Sequence, residues 1–127
     1  ALDRFEGDMR LTNWVVRTNE LSHLISMGAA GPGTPMVSSC LGLRWTMVVP
    51  DDGELPLDGV APALIEWRGG HHVAQDLPDR AIRLQSLSLC HPGVQQPYLP
   101  DDPRVETAVG AYAMRAVFDT PNGEVTV

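Results

Sequence analysis

Apolar and polar residues alternate most clearly between Leu43 and Val49. Leu43, Trp45, Met47 and Val49 fall on one side and Arg44 and Thr46 on the other, the period of two that marks a half-buried strand. The turn-rich segment Pro50 to Gly59 follows, and then Ala63 to Arg68 reads as a second strand with an acid, Glu66, in its middle. Earlier, Leu11 to Arg17 is rich in β-formers and predicts a short strand. Thr18 or Asn19 is then placed to cap a helix starting at Asn19, whose apolar positions Leu21, Leu24 and Ile25, with Gly28 as the stop, keep helical spacing. Residues 29 to 35 form a Gly/Pro loop, and Met36 to Cys40 leads into the strand that ends at Val49.

After Gly69-Gly70-His71-His72, residues 73 to 80 read as a connecting loop. Ile82 to His91 predicts a third strong strand. Its apolar positions switch from even (Ile82, Leu84) to odd (Leu87, Leu89), which implies a bulge or burial on both faces. Pro92 to Pro103 holds four prolines and no helical period, so it reads as a loop. Glu106 to Asp119 is one long strand or two, and Thr120-Pro121-Asn122-Gly123 is a reverse turn joining Arg115–Asp119 to Glu124–Val127 as a hairpin. One short helix among many strands predicts an α+β domain on a mixed or antiparallel sheet. The 127 residues suit one domain, with 1–10 as a leader segment.

Composition narrows the partners. Sixteen acids against nine arginines and no lysine give a formal charge of −7, which opposes nucleic acid and anionic membranes. No apolar run reaches the ~20 residues that span a bilayer, and the first residues carry no secretory pattern. Cys40 and Cys90 lack metal-ligand spacing and are expected as buried free thiols in a reducing compartment, the cytoplasm by default. No phosphate loop, nucleophile elbow, CxxC or HExxH occurs.

Several phrases in order resemble the glyoxalase-like branch of the vicinal-oxygen-chelate superfamily. They are Trp14-Val15-Val16-Arg17-Thr18, Leu43-Arg44-Trp45 running to Val49-Pro50-Asp51-Asp52, and Ala63-Leu64-Ile65-Glu66-Trp67 followed by His72. Leu84 to Leu89 with His91-Pro92, and Asp119-Thr120-Pro121 with Gly123, complete them. The resemblance implies βαβββ-type modules forming a curved sheet around a cavity, and it matches the later part of the family domain. The opening repeat of the family, with a hydrophobic-Asp-His-hydrophobic phrase that supplies a metal ligand, has no counterpart, and the helix expected after His91-Pro92 is replaced by the proline-rich loop.

The resemblance implies Glu66 and His72 as candidate ligands of a divalent Zn, Ni, Fe or Mn ion, which would polarise vicinal oxygens of a substrate. The ordinary alternatives are a Glu66 ion pair with Arg44 or Arg68 and solvated loop histidines at 71 and 72. His91 at a strand end, and Trp14, Trp45 and Trp67, are candidate ligand-contacting residues, set against strand-end capping for the histidine and core packing for the tryptophans. His23 lies on the polar side of the helix. Asp51-Asp52 and Asp101-Asp102 are expected as solvated loop acids. The missing repeat argues against a complete metal site. A protein that binds a small, partly apolar molecule without catalysis is therefore expected, against a metal-dependent lyase, isomerase or dioxygenase, or a non-catalytic dimeric interaction module. An incomplete set of strands leaves an open edge and an apolar face that a C2 homodimer would cover.

Overall fold

The computed structural model describes residues 7–69, 72–94 and 99–127. The elements are β1 (Val15–Arg17), α1 (Leu21–Ser26), β2 (Thr34–Cys40), β3 (Leu43–Val49), β4 (Ala63–Trp67), β5 (Arg83–Cys90), β6 (Val105–Ala108), β7 (Ala113–Thr120) and β8 (Gly123–Thr126), with short 3₁₀ turns at Pro56–Gly59 and Val73–Asp76. They form two four-stranded sheets, ordered β1-β4-β3-β2 and β6-β5-β7-β8. β1 runs parallel to β4 and β5 parallel to β6, while the remaining neighbours are antiparallel. The first sheet with α1 is one βαβββ unit. Among the described residues the second sheet is built of strands alone. The α+β expectation holds.

Two boundaries move. Only Val15–Arg17 of the expected first strand pairs with β4, and Leu11 and Trp14 pack instead against the second core. Helix α1 starts at Leu21 with Glu20 at the cap position. The Thr18 hydroxyl accepts from Glu20 N at 3.0 Å, holding the entering chain rather than the first helical turn. At the other end the helix stops as expected. Gly28, at φ +69°, donates to Ile25 O (3.0 Å) and Ala29 N to Leu24 O (2.8 Å), a Schellman arrangement that uses the last carbonyls.

Residues 34–49 are a hairpin, β2 and β3 turning through Leu41 and Gly42, both with positive φ, and β2 begins at Thr34, inside the expected Gly/Pro loop. The register also shows which face of β3 the helix covers. Leu21 and Leu24 of α1 pack on Val48 and Leu64, so the helix covers the Arg44–Thr46–Val48 side. A six-residue helix has room for one stripe of contacts, and that stripe falls on the smaller side chains. The stripe Leu43, Trp45, Met47 and Val49 therefore faces away from the helix. By register it continues into Met36 and Cys40 of β2, Ile65 and Trp67 of β4, and Val15 of β1. This face is only partly covered: Val49, Leu43, Val15 and Met36 are 38–51% exposed.

In the second sheet a register shift between Leu84 and Ser86 is the bulge implied by the changing apolar period. It returns Leu84, Leu87 and Leu89 to one core with Ala116. Glu106 to Asp119 divides into β6 and β7, and Thr120 pairs with Gly123 across the closing turn. The second core is completed from the first half of the chain: Val60 is fully buried there, with Trp14, Leu57 and Leu11 packed around it. Cys40 and Cys90 are free, but Cys40 is exposed because β2 is an edge strand, and Cys90 on β5 is half-buried rather than buried. Among the described residues no helix is long and apolar enough to cross a membrane.

Candidate functional site

Where β3 ends and β4 begins, the chain makes an apolar cleft of about 470 Å³. Its walls are Ala29 to Pro32 behind α1, Met47 to Pro50, Leu55 to Leu57, Ala61 to Leu64, Trp14, and Gly93 from the second half. The volume lies in the ~300–1,000 Å³ range of small-molecule pockets. Trp14 is fixed there because its Nε1–H donates to Val60 O at 2.8 Å and its carbonyl accepts from Ala63 N at 3.1 Å. Sequence pattern alone leaves Trp14 between pocket and core, and it serves both.

The polar element beside this cleft is His91 with Asp58. Leu57 (φ +50°) and Asp58 (φ +55°) both adopt the left-handed backbone, as does Gly59, where a Cβ would collide with the Thr12 carbonyl. That run aims Asp58 at His91, whose Nε2 lies 3.0 Å from Asp58 Oδ2. The other ring nitrogen, Nδ1, accepts from Gly93 N at 2.9 Å. An accepting Nδ1 places the proton of the neutral ring on Nε2, which donates to Asp58. The imidazole is 16% exposed and the carboxylate 76%, so the pair joins the two halves of the chain at the surface, next to the cleft wall formed by Gly93. The strand-end capping considered for His91 is present in its bond to Gly93, together with the tie to Asp58.

Glu66 occupies another place. Its Oε2 accepts from Leu21 N at 2.9 Å, supplying from β4 the acceptor that the start of α1 lacks locally. Neither expected arginine pairs with it: Arg44 and Arg68 stand beside it with no ion pair among the described residues. Glu66, Arg44 and Arg68 border a polar cleft of about 380 Å³ with Asn19, Thr46, Trp45 and Trp67. The last two rings meet in a tilted contact, 5.3 Å between centroids and inclined by 55°. His72 is not among the walls of this cleft. Its Nδ1 accepts from Ala74 N at 3.0 Å and so begins the Val73–Asp76 turn. His71 lies outside the described residues, and His23 is exposed on α1. Asp102 is more than a solvated loop acid, since it is bonded to Arg104 at 2.6 Å.

Whether a divalent ion fits can be judged from the donors. Glu66 and His72 each hold a helix or turn start, His91 uses both ring nitrogens, and among the described residues no three His, Cys, Asp or Glu side chains converge. These donors do not make a coordination set, so no chemical step is assigned to a metal.

The tryptophans divide between the two clefts, Trp14 in the apolar one and Trp45 with Trp67 at the polar one. The residues found only through the structure are the cleft walls at Ala29 to Pro32 and Leu55 to Leu57, whose small and apolar side chains give no chemical signal in sequence. No curated protein and no solved structure matches the chain. Residues 1–98 match a family described as Glyoxalase-like domain, a span that includes the whole βαβββ unit, the walls of both clefts, β5 and His91. The chain belongs to the glyoxalase-like domain family.

Proposed function

We propose that this protein binds a small, partly apolar molecule in the cleft between the end of the first sheet and Gly93, without catalysing a reaction on it. The observation that carries the reading is the cleft itself, with apolar walls around Trp14 and one fixed polar pair, Asp58–His91, behind its Gly93 edge. Apolar walls supply affinity at roughly 25 cal/mol per Å² of surface removed from water, while a few polar groups set orientation. The family match is consistent with this role.

The test uses a neutral apolar fluorophore, N-phenyl-1-naphthylamine, with wild type and Ala30→Phe, which places a ring in the cleft. Saturable enhancement in wild type that the substitution abolishes supports the proposal. Equal enhancement in both proteins defeats it.

A second reading is favoured by the open face of the first sheet. Val15, Met36, Leu43 and Val49 are exposed beside the Trp45–Trp67 pair, and such a face suits pairing with a second copy of the chain as a homodimer. Light scattering across a dilution series, with Met36→Asp as comparison, tests it. A monomer at every concentration rules the dimer out.

A further inference from the structure

At the opposite end of β3 and β4 from the apolar cleft, two arginines face one another. Arg68 N donates to Arg44 O at 2.9 Å, which continues the Trp45–Trp67 register by one step and sets Arg44 directly across from Arg68 on the same face. Opposite residues on antiparallel strands have Cβ atoms about 4.5–5.5 Å apart, and like charges there repel. Two arginines elsewhere show the usual solution: Arg83 bonds Asp79 at 2.7 Å and Arg104 bonds Asp102 at 2.6 Å. Arg44 and Arg68 have no such partner among the described residues, although the chain carries 16 acids to nine arginines.

Glu66, the acid nearest on this face, has one oxygen committed to Leu21 N. The register adds Thr46 across from Glu66, and Ser39 across from Arg44 on β2. Both arginines are exposed and both border the 380 Å³ cleft.

We propose that Arg44 and Arg68 together bind a small oxyanion, a ligand presenting at least two oxygens as a phosphoryl or dicarboxylate group. Guanidinium groups meet such oxygens through paired, charge-assisted N–H donors, and a bound dianion removes the repulsion between them. The cleft has room for an organic body attached to the anionic group. This site is separate from the apolar cleft and does not depend on what that cleft binds.

Calorimetric titration with inorganic phosphate, and separately with succinate, in chloride of matched ionic strength tests it on wild type, Arg44→Gln, Arg68→Gln and, as control, Arg115→Gln on β7. Saturable binding of either anion by wild type and the control, weakened about tenfold or more in each of the first two variants, is the expected result; the anion that binds identifies phosphoryl or carboxylate recognition. The melting temperature of unliganded Arg44→Gln and Arg68→Gln is expected to equal or exceed that of wild type, since each loses a like-charge contact. Equal titrations in all four proteins, or heat no greater than that given by chloride, overturn the proposal.

Discussion

Replacing Glu66 by alanine removes the acceptor of the Leu21 amide, whose other local options are absent because Glu20 at the cap position makes no side-chain bond to the helix. Loss of an N-terminal cap costs about 0.5–2 kcal/mol, and loss of a negative charge from a helix start about 0.3–1 kcal/mol. Glu66 is half-buried and acts across 45 residues of chain, so its loss frees a tertiary contact as well as a local one. An overall loss of about 1.5 kcal/mol is expected. With unfolding entropy near 2.1 cal/mol/K per residue, that lowers the melting temperature by roughly 5–6 °C. Glu66→Gln keeps an accepting oxygen and should lose only about 0.5 kcal/mol. Urea denaturation followed by tryptophan fluorescence, in chelator and in added zinc, measures both. A Glu66→Ala protein within about 0.3 kcal/mol of wild type, the ordinary scatter of surface changes, would refute the capping role. A loss that appears only with zinc would make Glu66 a ligand instead.

Leu41 is 96% exposed and sits at φ +50° in the β2–β3 turn, so Leu41→Asn should raise stability by about 0.5–1 kcal/mol in the same assay; no gain would mean the turn is not strained. Gly59→Ala meets the Thr12 carbonyl and an unsuitable φ, and a loss of about 2–4 kcal/mol is expected, with a smaller loss than 1 kcal/mol counting against the close approach. The Arg104 side-chain bond holds the Asp102 carboxyl down to about 2 from 3.8, and the Arg83 bond does the same for Asp79. Their folded-state values are depressed, so whatever each pair contributes is present above pH 3.8 and fades as pH falls toward 2. Carboxyl ¹³C shifts titrating near 3.8 would contradict this.

The period-two segments identified the strands well, and the switch of parity between Leu84 and Leu87 marked the bulge correctly. Side-chain alternation separates the two faces of β3 but says nothing about which one a helix will cover, and α1 packs on the side of the smaller Val48 rather than that of Trp45 and Met47. The β2–β3 turn was hidden because Leu41 is an unusual occupant of a left-handed position. Glu66 was visible as a strand acid, yet its partner amide is far away in sequence, and backbone donors carry no residue-type signal. Arg44 and Arg68 became a pair only once register was known. His91 is legible as a strand-end histidine, whereas its partner Asp58 is 33 residues away and carries no sequence signal beyond being an acid in a turn.

The parallel placement of β1 beside β4 has a kinetic consequence. The β2–β3 hairpin closes through a two-residue turn, whereas Trp14 reaches Val60 across 46 residues. Loop closure over that distance is entropically costly and is repaid only when the partner strand already stands. The hairpin and β4 are therefore expected to form the folding nucleus, with β1 docking after the barrier. Substitutions at Val16 should then speed unfolding while leaving the refolding rate unchanged, with φ-values near zero there and high values in β2 and β3.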